Sequence, residues 1–177
     1  MKEALDLSWV TPQIAVGGRF PMDRARELLP ELGIARVVDV RGECCDDEVV
    51  LRRHGLELLN LPTEDGCAVS QRMLDDGVCW IRDQLRAGGK VLIHCEYGIG
   101  RSALLAVCAL ADSGVAPTAA LTMLKQARWK VSPSPDQLEG FRTWLYRHGI
   151  HAPPIQELFD IAYAHLRKGE TGSGTVG

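Results

Sequence analysis

Val91-Leu92-Ile93-His94-Cys95-Glu96-Tyr97-Gly98-Ile99-Gly100-Arg101-Ser102 is the stretch that decides the fold. Its apolar run Val91-Leu92-Ile93 predicts a short buried strand, Gly98 and Gly100 a tight loop, and the residues from Ser102 through Ala111 an apolar helix. A strand that hands over to a helix through a glycine loop belongs to an α/β sheet, and it puts the loop at the carboxyl end of the strand, where open sheets bind ligands.

The loop has the makings of an anion cradle. Backbone N–H groups at a helix start lack helical partners and converge on negative charge. Gly98 and Gly100 let the amides of Glu96, Tyr97, Gly98, Ile99 and Gly100 turn inward, and Arg101 adds a planar fork for two phosphate oxygens. The ordinary alternative, a first-turn arginine, is electrostatically unfavourable at a helix N-terminus without an anion. Cys95 sits in the same field. A free thiol is only a few per cent ionised at neutrality, whereas a helix N-terminus with a cation beside it favours the thiolate, the nucleophilic form. A buried cysteine packing as a small hydrophobe would not need this setting.

His94-Cys95, five intervening residues and Arg101-Ser102 resemble the phosphate-binding loop of the cysteine-dependent protein tyrosine phosphatase superfamily, and the compact chain is similar to its dual-specificity branch from about Trp9 to Leu145. In low-molecular-weight tyrosine phosphatases and arsenate reductases the corresponding loop is N-terminal, which sets them apart. The resemblance implies a protein tyrosine phosphatase-like α/β fold with a central, mostly parallel mixed sheet flanked by helices. It implies thiolate attack by Cys95 to give a phosphocysteine that water hydrolyses. It also implies that Ser102 stabilises the departing thiolate, although a helix cap would account for that hydroxyl too, and that His94 orders the loop. Neither cofactor nor metal is called for.

Cleavage of a phosphate ester further requires a proton on the leaving oxygen. The loop Pro62-Thr63-Glu64-Asp65-Gly66-Cys67 offers two carboxylates, which alone would pass for a solvated turn. Asp65 lies 30 residues before Cys95, in the loop that carries the aspartate general acid of similar phosphatases, with Glu64 as the substitute. An ionised Cys95 working with a protonated Asp65 implies a bell-shaped kcat/KM with an acidic optimum. Relatives of this kind also suggest a water-positioning role for Gln137, which a capping box explains equally well, and a reversible disulfide between Cys95 and Cys44 or Cys45.

A chain of 177 residues, 46% hydrophobic and 24% charged, suits one domain, here 1–168, followed by a disordered glycine-rich tail at 169–177. The start of the chain lacks signal-peptide regions, no run reaches membrane-spanning length, and the six cysteines form no C-x-x-C pair. A cytoplasmic monomer acting on a phosphorylated protein or small phosphoester is expected. A net charge of −3 without a basic block argues against nucleic acid. Cys79 and Cys108 fall in apolar helical patterns and are expected in the core, while Asp75 and Asp76 are expected on a solvated face.

Along the chain, the pattern predicts a strand from Trp9 to Gly18, a helix from Pro21 to Leu29 ended by Pro30 and Gly33, and a strand over Ala35–Val40. A loop over Arg41–Glu48 and a strand over Leu56–Leu61 ending at Pro62 follow, then helices over Gln71–Arg86, Pro117–Arg128, Ser134–His148 and Ile155–Leu166. Two further readings stay open: a rhodanese-like sulfurtransferase carrying a Cys95 persulfide, and a catalytically silent phosphate-binding module. Both phosphotyrosine and phosphoserine or phosphothreonine suit the loop. Glu96 at the rim disfavours a polyanionic inositol phosphate, while Arg41, Arg128 and Lys130 offer a basic rim.

Overall fold

The structure is a computed structural model that describes residues 3–167, so the tail expected over 169–177 lies outside the described residues. In chain order the strands are β1 (Leu7–Trp9), β2 (Ile14–Gly17), β3 (Ile34–Arg41), β4 (Glu57–Thr63) and β5 (Lys90–His94). The helices are α1 (Ala25–Leu32), α2 (Glu48–Arg53), α3 (Gln71–Arg86), α4 (Arg101–Asp112), α5 (Pro117–Ala127), α6 (Pro135–Arg147), α7 (Ile155–Ala162) and the short α8 (Ala164–Arg167). The strands form one sheet in the order β1-β2-β5-β3-β4, with β1 antiparallel to β2 and every other pairing parallel. The fold is thus the mixed, mostly parallel α/β sheet that the sequence implied.

β5 occupies the middle of the sheet and both faces are covered, which is why its sequence is a continuous apolar run. Leu92 joins Val37, Leu28 and Leu51 in a core under α1 and α2, whereas Val91 and Ile93 join the larger core on the opposite face with α3 to α7. α4 is the axis of that larger core. Every residue from Arg101 to Ala111 is buried, so the helix that begins at the glycine loop is surrounded on all sides by protein. Burial of this extent fixes the position of the helix start rigidly with respect to β5. Among the described residues no helix is long and apolar enough to cross a membrane.

Several local expectations are corrected. The single opening strand is a hairpin, because Thr11 Oγ1 accepts from the backbone N–H of Gln13 and of Ile14 at 3.2 and 3.0 Å and turns the chain back. A helix, α2, starts at the last residue of the loop expected over Arg41–Glu48 and occupies residues 49–53, for which the sequence pattern predicted no element. Asp47 caps it, accepting from Val49 N and Val50 N at 2.9 and 3.1 Å, and Arg52 and Arg53 lie in its last turn. α1 continues through Pro30 to Leu32 and stops at Gly33, which is left-handed with φ 72°. β4 runs through Pro62 to Thr63, tolerated because it is an edge strand. The last helical stretch breaks at Tyr163, whose hydroxyl donates to Pro133 O at 2.6 Å.

Two side-chain expectations also change. Cys79 is exposed, since α3 turns that side outward, whereas Cys108 is buried and its thiol pKa is pushed well up by burial. Asp75 is half-buried and bonded within the protein. It accepts from Trp144 Nε1 at 3.1 Å and Arg147 at 2.7 Å, docking α3 on α6.

Candidate active site

The carbonyl groups of the loop after β5 are all tied back into the protein. Glu96 O accepts from Arg19 N at 3.0 Å, Tyr97 O and Gly98 O from Arg128 at 2.8 Å each, and Ile99 O from Ser132 N at 3.1 Å. In a trans peptide the N–H points opposite to the C=O. The N–H groups of Tyr97, Gly98, Ile99 and Gly100 are therefore turned to the inner side of the loop, and among the described residues they have no protein acceptor. The two glycines make this possible. Gly98 has φ 64°, and a Cβ there would lie 2.5 Å from Gly17 C. A Cβ on Gly100 would strike Gln137 Oε1.

Cys95 stands at the entrance of this ring, buried, with Sγ 3.2 Å from Ser102 Oγ. Arg101, 1% exposed, lies alongside. Its two terminal nitrogens reach Glu43 at 2.6 and 2.8 Å and Thr63 O at 2.8 Å, and Asp65 Oδ1 is 3.3 Å from one of them. Its Nε is buried without a partner. A buried guanidinium donor without a partner next to a ring of inward amides is a set of donors suited to an anion. The Glu43 hydrogen bonds raise the Arg101 pKa above its ordinary value against the opposing effect of burial, and Cys95 adds to the rise. In return Arg101 holds the Glu43 carboxyl down at about 2.

Asp65, Cys95, Tyr97, Gly100, Ser134 and Gln137 line one depression of about 220 Å³. Glu64 lines a neighbouring depression and not this one. The loop bearing Asp65 is held from across the site by the start of α6. Ser134 Oγ donates to Gly66 O at 2.7 Å and Gln137 Nε2 donates to Cys67 O at 3.0 Å. Gln137 also completes a capping box with Ser134. It thus ties together the helix start, the acid loop and the Gly100 side of the ring.

Beneath the loop lies a buried ionic chain. Arg41 donates to Asp39 at 2.9 Å through each of two nitrogens and to Asp46 at 2.8 Å, and Asp46 in turn lies 2.7 Å from His94 Nε2. Burial opposes the Arg41 charge, and the hydrogen-bonded Asp39 together with Asp46 outweighs it and raises the pKa. Asp39, Asp46 and His94 are close enough to hold a metal ion. A guanidinium already bridges the two carboxylates, so the site has its cation. His94 is held by Asp46 on one side, has Nδ1 3.4 Å from Cys95 O on the other, and meets the ring of Phe20 edge-on with centroids 5.2 Å apart.

The structure brings Cys95, Arg101, Ser102 and Asp65 together and places Glu96 to Gly100 around them. The basic rim expected of Arg41, Arg128 and Lys130 is absent. Arg41 and Arg128 are buried supports, and Lys130 is 3.3 Å from Asp6, which also binds Arg128 at 2.8 and 2.9 Å. Sequence reasoning missed Glu43 as the partner of Arg101 and Arg128 as the strut of the loop. A larger cavity of about 560 Å³ is found at the other end of α4, where Thr11, Arg82, Asp112 and Ser113 are among its lining residues.

Residues 22–149 match the family model described as "Dual specificity phosphatase, catalytic domain". Protein tyrosine phosphatase type IVA 2 of Mus musculus is 27% identical over 112 residues, covering 60% of this chain and 65% of that protein. The chain therefore spans just under two thirds of that relative's length. The crystal structure of Tk-PTP in its active form superposes with a TM-score of 0.74 and 26% identity, covering 80% of this chain and 97% of that one. The crystal structure of PTPMT1 in complex with PI(5)P shares the fold, with a TM-score of 0.75 at 20% identity over 80% of this chain and 95% of that one.

Proposed function

This chain belongs to the dual-specificity phosphatase family of cysteine-dependent catalytic domains, and from that membership we propose that it hydrolyses phosphate monoesters of phosphotyrosine, phosphoserine or phosphothreonine in proteins through a phosphocysteine on Cys95. The observation that carries the reading is the ring of inward amides from Tyr97 to Gly100, closed by the unpartnered Nε of the buried Arg101. Such a ring binds a tetrahedral dianion and stabilises the charge that spreads over its equatorial oxygens in the transition state.

In the first step the Cys95 thiolate forms an S–P bond as the P–O bond to the leaving group breaks, and Asp65 gives its proton to the departing oxygen. In the second step Asp65, now a carboxylate, takes a proton from the water that attacks phosphorus. The S–P bond breaks, inorganic phosphate forms, and Ser102 Oγ donates its proton in a hydrogen bond to the thiolate. Glu43 keeps Arg101 in place without occupying its Nε.

Turnover of p-nitrophenyl phosphate without added metal, with a phosphate adduct on Cys95 after rapid quenching, is the test. Cys95→Ser abolishes both. Turnover of thiosulfate instead favours sulfur transfer by Cys95, and phosphate binding without any turnover favours a silent module. A panel of phosphotyrosine peptides, phosphothreonine peptides and phosphoinositides then ranks the substrates.

A further inference from the structure

A second depression, of about 650 Å³, opens beside the catalytic one and is lined by Arg19, Glu43, Glu64, Asp65, Glu96 and Tyr97. Asp65 and Tyr97 wall both depressions. A substrate whose phosphate lies on Cys95 therefore has its neighbouring groups in the second. The sign of the charge there is uneven. Glu43 is bonded to Arg101, and Glu96 lies 3.2 Å from Arg19 and 3.5 Å from Arg41. Arg41, however, is already bonded to both Asp39 and Asp46. Among the described residues Glu64, which is exposed, has no ion-pair partner.

The orphaned Nε of Arg101, on a side chain that is 1% exposed, fixes where the phosphate goes. Once a phosphate with a charge of about −2 takes that donor, Arg101 is shared between the phosphate and Glu43. The trough then holds an excess of negative charge, with Arg19 as its one exposed cation among the described residues. A cationic group next to the phosphate meets that excess, and a second anion is repelled by it.

We propose that this trough selects phosphopeptides that carry lysine or arginine beside the phosphorylated residue, with Glu64 and Glu96 as specificity-determining residues. The inference rests on the phosphatase reading above and narrows it. It also disfavours substrates with several phosphates, because the second phosphate would face carboxylates.

The experiment compares three peptides of one sequence in which the phosphorylated residue is flanked on both sides by lysine, alanine or glutamate. Each is built on whichever of phosphotyrosine and phosphothreonine is turned over in the alanine background. Exposed ion pairs favour their partners by a few-fold each, so kcat/KM for the lysine peptide is expected to exceed that for the glutamate peptide by about tenfold at low salt. The ratio shrinks towards unity in about 1 M salt. Glu64→Lys lowers the ratio, and Arg19→Ala, which releases Glu96, raises it. Each ratio is internal to one variant, so a general loss of activity does not affect the reading. A ratio of one or below, a ratio indifferent to both substitutions, or a preference for phosphoinositides over every peptide overturns the inference while p-nitrophenyl phosphate is still hydrolysed. Failure to hydrolyse p-nitrophenyl phosphate at all overturns the phosphatase reading, and this inference with it.

Discussion

Arg128 Nε donates to Gly98 O at 2.8 Å from a position 30 residues further along the chain. The same guanidinium takes Tyr97 O and is itself held by Asp6. The orientation of two of the loop's inward amides thus depends on a side chain that lies on the outer side of the ring. Lysine in its place keeps the charge and loses the fork. Arg128→Lys is expected to weaken competitive inhibition by inorganic phosphate by up to about 30-fold, from the loss of about 1 kcal/mol of net hydrogen bonding at each of the two released carbonyls. Phosphate inhibition equal to that of the parent protein would show that the loop holds its shape unaided.

Gly98 and Gly66 make a matched pair. Both have positive φ, 64° and 76°, but a Cβ on Gly98 meets Gly17 at 2.5 Å while a Cβ on Gly66 meets nothing within 4 Å. Gly66→Ala carries the conformational cost alone, about 1 kcal/mol. Gly98→Ala adds overlap with the backbone of β2 and is expected to cost about 2–4 kcal/mol. Urea midpoints at a common slope measure the difference. Equal losses would mean that β2 gives way to the loop without resistance.

How far this arrangement could be read in the sequence depended on whether its signal was local. The β5-loop-α4 unit, the Ser134-Gln137 capping box and the order of strands and helices have patterns within a few residues. The β1–β2 turn did not stand out, because Thr11 and Gln13 interrupt a run whose flanks are apolar on both sides. The Glu43–Arg101 pair joins residues 58 apart, and nothing around Glu43 marks it off from the other acids of the loop at Arg41–Glu48. Arg128 likewise resembled a surface cation until the fold brought it under the loop. Asp39 inside an apolar strand, two residues before Arg41, and His94 beside Cys95 were the visible traces of the buried ionic chain.

The Glu43–Arg101 pair gives a pH signature. Arg101 lowers the Glu43 pKa from 4.5 to about 2, so the folded state binds its proton more weakly than the unfolded chain does. The stabilisation is then complete above about 4.5 and is lost as pH falls through about 2. Glu43→Gln lacks this titration. The Tm difference between the parent protein and the variant is expected to be greatest near neutrality and to narrow steadily below about pH 4.5. It is a small difference, because the Glu43 side chain is 42% exposed. A gap that stays constant with pH would assign the effect to packing and not to charge. The same variant should lower kcat/KM, since Arg101 loses the partner that aims its fork.

Asp65 is tested most sharply by changing the leaving group. Its carboxylate lines the Cys95 depression and lies 3.3 Å from Arg101, while Glu64 faces the neighbouring trough. A general acid matters in proportion to the basicity of the oxygen it protonates. Asn keeps the shape of Asp65 and its acceptor for Gly66 N, and lacks the proton. Asp65→Asn is therefore expected to lower kcat for phenyl phosphate about 100-fold or more and to affect p-nitrophenyl phosphate much less. The alkaline limb of the kcat/KM profile should flatten at the same time, because that limb reports loss of the acid's proton. Glu64→Gln should leave the ratio between the two substrates unchanged. If instead Asp65→Asn slows both esters equally, or Glu64→Gln produces the leaving-group dependence, the proton comes from another group and the second depression, not the first, holds the acid.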